Sequence, residues 1–160
     1  MKRIGVVSDS HGDRGHLEFA LMKLEAEGRL DALIHCGDGA GDADYVGGSI
    51  LQVAAVRGNC DGWMDEHQDE LLLTIGGVSI FVTHGHRYGV KSDTLLLSSA
   101  AAARGAQICC FGHTHIPLCA YENGVLMLNP GACHSTGSCA LILADERGGY
   151  TVRMMSAYAD

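Results

Sequence analysis

The chain has 160 residues, 47% of them apolar and 19% charged, with a formal net charge of −8. This length suits one domain over residues 1–160 with its own core, and the apolar content excludes a disordered chain. The acidic balance leaves no basic face for a general nucleic-acid or membrane-surface binder, although a nucleic-acid substrate is not excluded by it.

The first predicted strand is Arg3 to Ser8, ending in Asp9-Ser10-His11-Gly12-Asp13. Leu17, Ala20, Leu21 and Leu24 then recur at helical spacing, with Gly28 as a stop. Asp31 to Cys36 reads as a second strand, ending in Gly37-Asp38-Gly39, and a Gly- and Asp-rich stretch runs on to Gly48. Leu51 to Val56 is a third strand, ending in Arg57-Gly58-Asn59-Cys60-Asp61. This opening predicts parallel strands. Glu70 to Ile75 and Val78 to Thr83 then form a hairpin that runs out into His84-Gly85-His86. Ser92 caps a second predicted helix with Leu96, Ala100 and Ala103 on one face. Gln107 to Phe111 is a strand ending in Gly112-His113-Thr114-His115. Leu118 to Tyr121 turns at Asn123-Gly124 into Val125 to Leu128, and Ser138 to Ala144 pairs with Tyr150 to Met154. With only two helical segments, the expected fold is α/β, with two stacked mixed β-sheets flanked by helices. No apolar run reaches the ~18 residues of a membrane span. Met1-Lys2-Arg3-Ile4 leads into no apolar leader.

The seven cysteines show no CxxC, so they read as small buried hydrophobes in a reducing cytoplasm. The chemistry lies elsewhere. Five predicted strands end in metal-type ligands: Asp9 and His11; Asp38; Asn59; His84; His113 and His115. Ligands in open α/β sheets collect beyond these strand ends. Asp9/His11 and His113/His115 share i, i+2 spacing, which in extended backbone puts both side chains on one side. Imidazole, carboxylate and amide oxygen together suit manganese, iron, nickel or zinc better than calcium. Seven ligands exceed one tetrahedral ion and suit two ions ~3.5–4 Å apart, with Asp38 as the bridging carboxylate. His16, His35, His67 and His134 belong to no pattern and read as surface or core residues. Trp63 is either a half-buried aromatic or a wall for an aromatic substrate.

The set Asp9-x-His11, Gly37-Asp38, Gly58-Asn59-Cys60-Asp61, His84 and Gly112-His113-x-His115 resembles the calcineurin-like metallophosphoesterase superfamily. Cys60 and the run Thr83-His84-Gly85-His86-Arg87-Tyr88-Gly89 look like its small YfcE-type phosphodiesterases. The resemblance implies a four-layer α-β-β-α sandwich. It implies one metal on Asp9, His11, Asp38 and His115, and another on Asp38, Asn59, His84 and His113. The ions would be divalent transition metals, manganese first, with nickel, iron or zinc as alternatives. The reaction would be hydrolysis of a small phosphodiester through a metal-bridging hydroxide. Asp38, Asn59 and His86 are the expected catalytic residues; His86 would bind a phosphate oxygen or protonate the leaving group, or else only support His84. Many relatives carry a histidine where this chain has Cys60, which is therefore read as a packing residue, leaving Asp61 without a ring to orient. Specificity is expected in loops 39–50 and 61–69 and in Tyr88, and Arg57 and Arg87 are either substrate contacts or ordinary loop charges. Two alternatives stand beside this reading: a non-catalytic scaffold of the Vps29 type, and a phosphomonoesterase on the same site. No membrane partner is expected, and a homo-oligomer is compatible with the sequence.

Overall fold

The computed structural model describes residues 1–46, 48, 50 and 52–155. In chain order its elements are β1 (Lys2–Val7), α1 (Arg14–Leu24), β2 (Ala32–His35), α2 (Ala40–Val46), β3 (Gln52–Ala55), β4 (Glu70–Ile75), β5 (Val78–Thr83), a 3-10 turn (His86–Tyr88), α3 (Leu95–Ala103), β6 (Ile108–Cys110), β7 (Leu118–Glu122), β8 (Val125–Asn129), β9 (Cys139–Ala144) and β10 (Tyr150–Met155). They build two mixed five-stranded sheets, ordered β10-β9-β1-β2-β3 and β4-β5-β6-β8-β7. In the first sheet β1, β2 and β3 are parallel, and the C-terminal hairpin returns antiparallel onto β1. In the second, β5, β6 and β8 are parallel, with β4 and β7 antiparallel at the edges. The predicted third strand included Leu51, which lies outside the described residues.

The period-2 alternation of the strands sorts their side chains into layers. Ile4, Val6 and Ile34 meet Ile80, Val82, Ile108 and Leu128 in a core between the sheets. The opposite faces of β1 and β2 send Val7 and Leu33 against Leu17, Leu21 and Leu24 of α1. On the far side Phe81, Cys109 and Met127 pack against Leu97 and Ala101 of α3. Burying these apolar faces, at about 25 cal/mol per Å² of apolar surface, is the main favourable contribution to folding. The hairpin between β7 and β8 turns at Asn123 and Gly124, both left-handed (φ 54° and 75°), as a two-residue turn matching strand twist requires.

Two expectations are corrected. The stretch after Gly39 is not all loop, because residues 40–46 form α2. Its glycine at 41 and short length hide any helical period, and the Asp61 carboxylate, remote in sequence, accepts the first N–H of the helix at Ala40 (3.3 Å). The second predicted helix begins at Leu95, with Thr94 rather than Ser92 at its N-cap, and it buries Leu97, Ser98 and Ala101. Leu96, placed inward from the sequence, is 66% exposed. Apolar residues occupy every side of this helix, so packing on β6 and β8, not local periodicity, selects the inner face.

Candidate metal centre

Strands β1, β2 and β3 are neighbours in one sheet, and β5 and β6 are neighbours in the other. Their C-terminal ends therefore open onto one shared edge. Backbone bonds stitch the loops together there: Asp9 N–H donates to the Gly37 carbonyl (2.9 Å), His11 N–H to Asp38 (2.9 Å) and Gly112 N–H to His84 (3.0 Å). Two glycines permit the close approach. A Cβ on Gly58 would collide with the Asp38 carboxylate and amide, and one on Gly112 with Ser8 and Asp9.

The i, i+2 pairs do not meet by extended pleating. Asp9, His11, Asp38, His113 and His115 all have left-handed backbones, with φ between 47° and 69°. Such a conformation costs about 1–2 kcal/mol per residue and is kept where the surroundings enforce it. Its effect is to separate His113 from His115. His115 Nε2 lies 3.1 Å from Asp9 Oδ1, which is 3.6 Å from His11 Nε2. His113 instead groups with His84 and Asp38, the ligand atoms of all three lying within 4.8 Å of one another. Asp38 sits between the two groups, with Oδ2 3.2 Å from His84 Nε2 and 3.9 Å from His11 Nε2. Asn59 is exposed on the adjoining loop, its amide nitrogen 3.5 Å from Cys60 Sγ.

The carboxylates are held by peptide N–H groups. Asp38 Oδ1 accepts from Cys60 N–H (2.7 Å), and Asp9 Oδ2 from His113 N–H (3.1 Å). Burial pushes the Asp38 carboxyl pKa up, but the contacts with His84 and the Cys60 amide outweigh it and hold the group well below the usual carboxylate range. His84 is buried, and its Nδ1–H donates to the Cys36 carbonyl (2.7 Å). In the neutral ring this bond leaves the Nε2 lone pair pointing at two carboxylates. That nitrogen is buried without a hydrogen-bond partner. Burial works against charging the ring, yet Asp38 and Asp9 raise its affinity for a proton. An imidazole lone pair aimed at carboxylate oxygens fits a cation between them, so the residues present suit a metal of the manganese-to-zinc kind. His86, on the 3-10 turn, has its ring 5.4 Å from His84 and 6.0 Å from His113. Its Nδ1 is also buried and unpartnered, and burial, then His84 and Arg87, keep its pKa below the ordinary value.

A cavity of about 430 Å³ opens beside this cluster, lined by His11, Arg14, Asp38, Asp42, Cys60 and Asp65 among others. Cys60 is exposed at its rim, so the packing role expected of the thiol is overturned; its N–H donates to Asp38, and its Sγ lies within 4.8 Å of ligand atoms of His11 and Asp38. Trp63 is 84% exposed, which removes the half-buried alternative. Tyr88 donates its hydroxyl to Glu70, and Arg87 pairs with Asp69 (3.1 Å), so both brace the start of β4. His67 joins Asp44 of α2 to Asp65 of segment 61–69, each at 2.8 Å. As expected, His35 is a core residue.

Two supporting elements escaped the sequence reading. The Asp61 carboxylate accepts the N–H groups of Asp38 (3.0 Å), Gly39 (2.8 Å), Ala40 (3.3 Å) and Gly58 (2.8 Å), clamping the two loops that present Asp38 and Asn59. It orients backbone rather than a ring. The other is a buried chain. Gly37 N–H donates to His35 Nδ1 (3.0 Å), His35 Nε2–H then donates to Ser10 Oγ (2.8 Å), and Ser10 donates to Asp42 (2.7 Å). Only the spacing Gly58-x-x-Asp61 signalled the first, and nothing local signalled the second.

Residues 1–146 match the family model of the calcineurin-like phosphoesterase superfamily domain. The chain is 41% identical over 127 residues to a probable metallophosphoesterase, YsnB, of Bacillus subtilis, covering 79% of this chain and 72% of that one. It is 25% identical over 130 residues to the phosphodiesterase YfcE of Escherichia coli K12, covering 77% and 58%. Vacuolar protein sorting 29 from Cryptosporidium parvum shares the fold, with a TM-score of 0.75 at 19% identity over 97% of each chain. Five strands bring Asp, His and Asn to one edge, and the family match spans nearly all of the fold that does so: this chain belongs to the calcineurin-like phosphoesterase superfamily.

Proposed function

We propose that the chain, as one domain over residues 1–160, is a dinuclear-metal phosphodiesterase acting on small phosphodiesters. The observation that carries this reading is the position of Asp38 Oδ2 between His84 Nε2 (3.2 Å) and His11 Nε2 (3.9 Å). Asp9, His11, Asp38 and His115 would hold one divalent ion, and Asp38, Asn59, His84 and His113 the other. Manganese is the first choice, with nickel, iron and zinc compatible with the same donors. When bound, two such ions supply Lewis acidity and a water made nucleophilic near neutral pH.

The chain's own groups do the rest. Asp38 neutralises charge on both sides of the cluster, and the Cys60 amide fixes its orientation. His84 is locked in the tautomer that presents Nε2, because Nδ1–H is committed to the Cys36 carbonyl. His86 stands beside His84 and His113, where it would bind a phosphate oxygen or give a proton to the leaving oxygen. Five of the seven cysteines are buried and all are free, in keeping with a reducing cytoplasmic setting. No helix among the described residues is long and apolar enough to cross a membrane.

Metal analysis combined with an assay of one aryl diester and one alkyl monoester tests the proposal. Two equivalents of metal and turnover of the diester alone are expected. Turnover of the monoester at an equal rate would favour the monoesterase reading, and two bound metals without turnover of either would favour the scaffold. Manganese binds the folded form, so at 100 times its Kd it should add about 2.7 kcal/mol to stability, and a chelator should remove that gain.

A further inference from the structure

A second cavity, of about 440 Å³, is lined by residues that neighbour the candidate histidines in the chain, and its size falls within the ~300–1,000 Å³ range of small-molecule sites. Its lining is Val90, Phe111, Ile116, Pro117 and Leu118, with Thr94 and Thr114, and Lys91 as its one cation. We propose that this groove seats the apolar, flat arm of the phosphodiester, so that the protein selects diesters carrying an aryl or comparably apolar ester group on the side of His84 and His113. The inference rests on the phosphodiesterase reading above and adds the substrate class to it.

Continuity with the metal centre is the first argument. The groove's walls belong to the same two loops that carry the histidines. Val90 and Lys91 follow His84 and His86, and Phe111 to Leu118 enclose His113 and His115 in sequence. Thr114, between those two histidines, is itself part of the lining. A Cβ at Gly85 would press on Val90, so the His84 loop and the groove wall are in van der Waals contact.

The second argument is chemical contrast. The cavity beside His11 and Asp38 presents Asp42, Asp61 and Asp65, which repel an apolar group that would strip them of water. The groove has no carboxylate in its lining, and Lys91 gives it a positive charge. Val90 and Phe111 are buried and fixed, so the floor is preformed; Ile116 is 67% exposed and forms the rim. An aryl arm lying along Ile116 would cover apolar surface that otherwise faces water.

The test uses the full-length chain and two diesters that release the same leaving group, methyl p-nitrophenyl phosphate and phenyl p-nitrophenyl phosphate. With manganese bound, kcat/KM should favour the phenyl ester by at least ~10-fold. Ile116→Asp, at an exposed position on the rim, should bring that ratio down toward unity. A turnover-free readout accompanies it. In zinc-loaded protein, diphenyl phosphate should shift the methyl signals of Val90, Ile116 and Leu118, and dimethyl phosphate should not. Equal rates for the two esters, or a preference that survives Ile116→Asp, would overturn the groove assignment while leaving the phosphodiesterase reading intact. Methyl shifts without hydrolysis of either ester would sustain the groove and sink the phosphodiesterase reading.

Discussion

The two sheets bring unlike groups to their shared edge. Loops after β1, β2 and β3 deliver carboxylates, and the peptide chain ties them down: Asp9, Asp38, Asp42 and Asp61 each accept at least one backbone N–H. Loops after β5 and β6 deliver imidazoles, and two buried ring nitrogens there, on His84 and His86, have no partner. The negative half is thus fixed by hydrogen bonds that charge-assisted acceptors make strong, while the basic half faces it unsatisfied. The contrast teaches that the first sheet fixes its carboxylates through backbone N–H groups, while the second leaves buried imidazole nitrogens open.

The sharpest way to break this comparison is Asp38→Asn. One neutral amide cannot balance two cations, so diesterase activity should fall by roughly 10³-fold or more with loss of at least one metal. Full activity with two metals bound would show that another group bridges.

His35 probes the buried support beneath the carboxylate half. Burial holds its pKa down to about 4 against an ordinary 6.5, so the folded state keeps the ring neutral. The unfolded chain binds the proton more readily, so stability is complete above about pH 6.5 and is lost as pH falls toward 4. The loss amounts to about 3 kcal/mol. Urea denaturation of metal-free protein at pH 7 and pH 4.5 should show this slope, and His35→Gln should flatten it; identical slopes in both proteins would remove His35 from the account.

Asp61→Ala leaves four N–H groups of two loops without their acceptor. Metal affinity should drop about 10–100-fold, as for other groups that orient metal ligands. Titration with manganese checks this, and unchanged affinity would show that the loops hold their shape alone. The smallest effect belongs to Cys60→Ala. The backbone N–H that serves Asp38 is retained and the thiol is exposed, so diesterase activity at matched metal content should stay within about threefold. A hundredfold loss would make the thiol a participant in the chemistry.

The sequence by itself determined the strands, their inward and outward alternation, and the set of residues that reach the edge. Each of these is local: a period of two fixes the buried face, and Asp or His beside glycine marks where a strand stops. Tertiary structure decided the rest. It chose which side of an apolar-all-round helix, α3, faces the sheet, and it made a helix of residues 40–46 with help from Asp61. It returned β9 onto β1, closing the first sheet from the far end of the chain. Through left-handed turns at five candidate ligand positions it sent His113 toward Asp38 and His115 toward Asp9. None of this has a local signature. A left-handed backbone at Asp or His is unfavourable in isolation, and a carboxylate's choice among distant amides depends on which loops the packed sheets hold side by side.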